Sequence, residues 1–386
     1  MLQLPHRSPS LPRLRLVLTV LLLAACSSTP QPPPPPDTHE VDSWVMRGYL
    51  SDTRNAFEVA SDEVRLEGAP VELAWTVPSK GSRLPWVIYL PGLGEAAESG
   101  RAWREAWARA GYAVLSIASA DDDRPPPGLA HRTDPPEAAT GTPQEQRQHL
   151  LDQRDALHEW ARQRYLPAAA RQRTQRLRAL LTALLAREPA GTLARVDRSA
   201  VALAGYDIGA YTALLSVGEL PSAAWIAQPP PVRVKAVIAL SPYADFGGTA
   251  FAQRYRDIQV PVLSVSGSGD EDQAGTVPSA FVRRAPFENL PGRAALLWLK
   301  STSHQVLSGG SADGAMGARP EWSGGPEESR QGMARRSTDQ AVDRAVIAAT
   351  TTAFLDAEVK SDPVARNWLA ADAARWVRPR GEWRQR

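Results

Sequence analysis

The residues Gly205-Tyr206-Asp207-Ile208-Gly209 have the frame of a nucleophile elbow, G-x-S-x-G, with aspartate where serine is expected. The flanking glycines permit a sharp strand-to-helix turn that pushes residue 207 outward. No nearby serine can replace it, since Ser199 precedes the turn and Ser216 lies two helical turns beyond. A carboxylate, with a pKa of about 4, is ionised at neutral pH and needs no base to become a nucleophile. On an ester carbonyl it would have to expel an alkoxide whose conjugate acid has a pKa of roughly 16, while the carboxylate itself falls back. That gap, on the order of 12 units at about 1.36 kcal/mol each, sets about 16 kcal/mol against the forward direction. Attack on a saturated carbon carries no such penalty. Two other uses remain open: a base that orients water onto a carbonyl, and a binding pocket from which catalysis has gone.

These residues need a scaffold, and the apolar pattern supplies one. Short apolar runs flanked by turn residues occur at 85–92, 111–118, 198–205, 234–242, 260–267 and 294–301. Runs without polar alternation suit strands buried on both faces of a parallel sheet. Helical patterns lie between them, at 102–110 and 210–218 among others. This alternation predicts an α/β fold: a mostly parallel central sheet covered by helices on both faces. The stretch 64–79 alternates like an antiparallel hairpin at the sheet edge. Residues 121–143 read as a long irregular loop, and 144–188 as two helices broken near Pro167. That pair is an enlarged layer helix or a small lid. A Gly-rich loop over 305–334 precedes a last long helix, and 379–386 reads as a basic, frayed tail.

The apolar runs end in a telling order: Pro91-Gly92-Leu93-Gly94, then the Asp207 turn, then Gly267-Ser268-Gly269-Asp270, then Ser303-His304. Nucleophile, acid and histidine in that order is the α/β-hydrolase arrangement of parts. From about 85 to 369 the chain resembles the secreted α/β-hydrolases related to dienelactone hydrolases, bacterial polyester hydrolases and platelet-activating factor acetylhydrolases. The resemblance rests on the Pro91-Gly92-Leu93-Gly94 loop, RVDRSAVALAG before the turn, VKAVIALSP, PVLSVSGSGD, and the Ser-His pair after the final run. It implies Asp270 as the charge-relay acid, His304 as the general base, and an oxyanion hole from the N–H groups of Leu93 and Ile208. Asp272 is an alternative acid. His131, His149 and His158 fall in the loop and helices before the turn and read as surface residues.

Asp207 departs from these relatives, which carry serine or cysteine there. Aspartate in this frame resembles epoxide hydrolases and haloalkane dehalogenases, in which it attacks a saturated carbon and water then opens the ester. Those families commonly carry a helical cap between the sixth and seventh strands, where this chain has only the short interval 243–259. Dehalogenases also favour tryptophan after the aspartate, and here it is Ile208. Tyr165 and Tyr206 are candidates to hold an epoxide oxygen, although nothing in the sequence brings them together.

The rest of the chain narrows the setting. Its 386 residues carry 44 Lys and Arg against 42 Asp and Glu, a formal +2, so no overall field draws nucleic acid. No HExxH, His cluster, CxxC, dinucleotide loop or Walker lysine occurs, so no metal or cofactor is expected. Residues 1–25 have a basic start and an apolar run too short to span a bilayer, the layout of a signal peptide. Leu23-Ala24-Ala25-Cys26 resembles a bacterial lipobox, which implies a lipid anchor at Cys26, the single cysteine. The proline run within 26–43 reads as a tether. The expectation is a hydrolase over 44–378 that acts on an ester-like or other small organic substrate, with a non-catalytic binding protein or an Asp-nucleophile epoxide or haloalkane hydrolase as alternatives, held in a bacterial envelope at the outer membrane through Cys26.

Overall fold

Apolar side chains on both sides of a strand force cover on both faces, and the sheet of this protein follows that rule. The computed structural model describes residues 34–119, 125, 142–188, 190–272, 274–310 and 330–386. Its strands are β1 (Phe57–Leu66), β2 (Ala69–Pro78), β3 (Leu84–Leu90), β4 (Ala113–Ser119), β5 (Val196–Tyr206), β6 (Val234–Leu240), β7 (Val262–Gly269), β8 (Ala294–Ser303) and β9 (Gly381–Gln385). Among the described residues they form one nine-stranded sheet of order β1-β2-β4-β3-β5-β6-β7-β8-β9. The pairs from β4 through β3, β5, β6 and β7 to β8 are parallel, whereas β1–β2, β2–β4 and β8–β9 are antiparallel. The fold is a mixed α/β architecture.

Successive residues of one strand enter opposite cores because side chains alternate. Val87 and Tyr89 join one buried cluster, and Trp86 and Ile88 the other. The first face is covered by α2 (Arg101–Arg109), through Trp103 and Trp107, and by α6 (Arg330–Glu358), through Val342, Val346 and Ile347. The second is covered by α4 (Pro167–Ala186) and α5 (Ile208–Ser216), through Leu177, Leu181, Ala213 and Leu214. Helix α3 (Pro143–Tyr165) starts at a capping box in which Thr142 and Glu145 satisfy each other's backbone N–H groups. It stops at Leu166, whose backbone turns extended (φ −61°, ψ 149°) because Pro167 disfavours helix in the residue before it.

Two segments differ from the sequence reading. The end of the tether over 26–43 is folded: α1 (Thr38–Arg47) is capped by Asp37 and buries Trp44 edge-on against Trp376, 5.6 Å between ring centroids. The tail over 379–386 is no frayed end either. It forms β9 beside β8, and the Trp383 indole is buried and donates to the Leu369 carbonyl. An amphipathic five-residue strand carries too weak a periodic signal to stand out beside arginines. The signal peptide, Cys26, His131 and most of the 121–143 and 305–334 loops lie outside the described residues. No helix among the described residues is long and apolar enough to cross a membrane.

Candidate active site

Because β3, β5, β6, β7 and β8 are mutually parallel, their C-terminal ends share one edge of the sheet. The loops leaving that edge carry Leu93, Asp207, Ser241, Asp270 and His304.

Asp207 sits at φ 52° and ψ −115°, outside the regions that L-residues favour, and such backbone costs on the order of 1–3 kcal/mol. The neighbouring glycines permit it by close approach. A Cβ on Gly205 would overlap the Gly209 backbone, and one on Gly209 would overlap the Leu90 carbonyl. The Asp207 N–H donates to the Leu240 carbonyl at 2.9 Å, which ties the turn to the neighbouring strand. Ile208 opens α5, so its N–H has no intrahelical acceptor and points outward with the positive end of the helix dipole.

The carboxylate is only 5% exposed and its two oxygens differ. Oδ2 accepts a 2.8 Å hydrogen bond from the Tyr165 hydroxyl at the end of α3. Oδ1 is buried without a hydrogen bond among the described residues. Tyr165 stacks on Tyr243 with centroids 4.2 Å apart, and Tyr211 lies 5.0 Å from Tyr243. The helical pair over 144–188 therefore reaches the site, which its layer-helix reading did not anticipate. Tyr206 takes a separate course, its hydroxyl donating to the His304 carbonyl at 2.9 Å.

His304 Nδ1 lies 2.7 Å from Asp270 Oδ1 and 3.0 Å from Ser241 Oγ. Asp270 is fully buried and also accepts from Ser241 Oγ at 2.8 Å and Ser266 Oγ at 2.7 Å. Burial pushes the Asp270 carboxyl up, but the Arg283 guanidinium and the His304 ring outweigh it and hold it below the usual range. Burial opposes the charged ring of His304, yet the hydrogen bond and charge of Asp270, with the charge of Asp207, leave its pKa raised. Asp272 is turned elsewhere. It accepts from the N–H groups of Thr276 (3.0 Å) and Val277 (3.2 Å) and pairs with Arg283 at 3.3 Å. The geometry thus gives His304 to Asp270. His149 and His158 lie exposed on α3. Leu93 and Ile208 are buried in the same cluster as Tyr165 and Tyr243.

Glu95 escaped the sequence reading. Its Oε2 accepts the Gly92 N–H at 2.9 Å, which closes the loop that presents Leu93. It lines a crevice of about 50 Å³ with Gly92, Arg173, Ile208 and Thr212, room for a few water molecules. Burial, and behind it the nearby charge of Asp207, push its carboxyl up from 4.5 to about 7, against the Gly92 N–H and His304. The three-residue spacing Gly92 to Glu95 was visible, but a turn with a capping carboxylate is too common to single out.

A folded-state pKa raised in this way stabilises the fold below the unfolded value and is lost as pH rises through about 7. Stability should therefore fall between about pH 4.5 and pH 7, by at most about 3 kcal/mol from this group. Urea denaturation at pH 5 and pH 8 should show this difference shrink in Glu95→Gln. An unchanged difference would mean that Glu95 is ionised at both pH values.

No known family's sequence profile matches the chain, and no curated protein matches it. Fold and site together define a mixed α/β protein whose strained strand-to-helix turn sets a carboxylate at the same sheet edge as an Asp–His pair.

Proposed function

We propose that this protein is a hydrolase of the α/β-hydrolase fold, in which Asp207 is the nucleophile toward a saturated carbon of a small organic molecule such as an epoxide. The strand order and the placement of Asp207 after β5, Asp270 after β7 and His304 after β8 support the fold assignment. One observation carries the mechanism: Oδ2 is held by Tyr165 while Oδ1 has no hydrogen-bond partner among the described residues. A carboxylate held by one oxygen keeps the other lone pairs for attack. Strain kept at the turn points the same way, since backbone strain persists where the surroundings enforce it.

In the first step Oδ1 bonds to the carbon and the carbon–oxygen bond of the ring breaks, leaving an ester at Asp207. In the second, His304 takes a proton from water and the oxygen of that water adds to the ester carbonyl. The N–H groups of Leu93 and Ile208 receive the oxyanion. Collapse expels the product oxygen, which recovers the proton from His304. With Asp207 so little exposed, substrate entry requires Tyr165 and the end of α3 to shift.

The same burial and aromatic cover favour a second reading, a binding protein on a disarmed scaffold. The two separate in one experiment. The His304→Gln variant, incubated with 1,2-epoxyhexane, should gain the mass of one substrate, located at Asp207 by peptide mapping, while the wild type releases the diol. Neither adduct nor diol would sink the hydrolase reading and leave the binding one.

A further inference from the structure

Opening an epoxide leaves an alkoxide whose conjugate acid has a pKa of roughly 16, so the first step above needs a proton. The polar groups around Asp207 are nearly all committed. The Tyr165 hydroxyl donates to Asp207 Oδ2, and its burial beside that carboxylate makes it a poor acid. The Tyr206 hydroxyl donates to the His304 carbonyl, and that of Tyr243 to Asp245 at 2.6 Å. His304 serves the second step, where it takes a proton from water, and its Nδ1 faces Asp270; His304→Gln leaves the first step without its ring. Glu95 is different. Gly92 fixes Oε2, and no hydrogen bond engages Oε1 among the described residues.

Resting on the Asp207 reading, we propose that Glu95 is a further catalytic residue: the acid that gives a proton to the oxygen leaving the attacked carbon. Three observations support its place. It belongs to the loop that presents Leu93, it lines one crevice with Ile208 and Gly209 of the Asp207 turn, and it lies within electrostatic reach of Asp207 and His304. Its near-neutral pKa leaves a substantial protonated fraction at pH 7, where an ordinary glutamate has almost none. The charged and titratable groups around it are Tyr89 of β3, Tyr206 and Asp207 at the end of β5, His304 after β8, and Arg173 and Arg176 of α4.

The protons balance. Glu95 gives its proton as the ring opens and becomes a carboxylate, while the electron pair of the broken bond stays on the protonated oxygen. When the ester is hydrolysed, the proton shed as Asp207 returns to its carboxylate restores Glu95 through water in the crevice. Net, one epoxide and one water give one diol.

The test uses the first step alone, in the His304→Gln chain, followed as adduct mass at Asp207 against time. With Glu95 present, the rate with 1,2-epoxyhexane should fall as pH rises from about 6 to about 8. Glu95→Gln, whose amide oxygen can still accept the Gly92 N–H, should lower the rate at pH 6 by roughly 100-fold and flatten the profile. With 1-chlorohexane, whose chloride leaves without a proton, the two chains should differ by no more than about threefold. An unchanged epoxide rate and profile in Glu95→Gln overturns the assignment. So does an equal loss with both probes, which marks a structural role. If neither probe forms an adduct in the Glu95 chain, the Asp207 reading itself fails, and the proton-donor role falls with it.

Discussion

Asp207→Ser should turn this protein into an esterase, with p-nitrophenyl butyrate turned over at least 100-fold faster than by the wild type. The hydroxyl would sit on the same strained turn, at the sheet edge it shares with the His304–Asp270 pair. The departing p-nitrophenolate, with a conjugate acid of pKa about 7, is roughly 3 units more basic than an ordinary carboxylate, about 4 kcal/mol against carboxylate attack, but far less basic than a serine alkoxide, so for serine that penalty disappears. His304 already has the partner that orients its ring, and each part of such a relay is worth several orders of magnitude in rate. Asp207→Ala should be silent toward both esters and epoxides. A wild type that hydrolyses the ester readily, with loss in both variants, would show that Asp207 works on carbonyls and that the leaving-group argument misjudges this site.

Arg283→Met should cost about 3–5 kcal/mol of stability, the usual penalty for stripping a buried charge of its partner. Arg283 is fully buried. Its Nε donates to the Asp270 carbonyl at 3.1 Å, Nη1 to the Ser241 carbonyl at 3.0 Å, and Nη2 lies 3.3 Å from Asp272 Oδ2. Removing it strands those acceptors and lifts the constraint that keeps Asp270 ionised. The sign of the pH effect follows. A depressed carboxyl stabilises the fold above its unfolded pKa, and that stability is lost as pH falls through the lower folded value. Arg283→Met should therefore be hit hardest near neutrality and least in acid. Urea denaturation at pH 7 and at about pH 2.5, below the usual carboxylate range, measures both, and a loss under about 1 kcal/mol at pH 7 would show that Asp270 does not depend on this cation.

Much of this could be read from local pattern. Each apolar run between 85 and 301 became a strand because burial on both faces leaves no room for polar alternation. The glycines of the Asp207 turn announced close backbone approach, and the packing of Gly209 against Leu90 supplies the reason. Between Asp270 and Asp272, two residues apart, local pattern had little to offer. One follows β7 into the buried edge and meets His304, while the other closes its own loop onto Thr276 and Val277.

The sequence by itself determined the alternation of strand and helix, the turn that sets residue 207 at the sheet edge, and the order in which carboxylates and histidine leave the sheet. These depend on burial period and backbone sterics within a few residues. Tertiary structure alone decided that Tyr165, 42 residues before Asp207, holds one of its oxygens, that Glu95 faces the same crevice as Ile208, and that the last strand completes the sheet. Such contacts join segments distant in sequence, and their partners are selected by how whole layers pack, which no local period encodes.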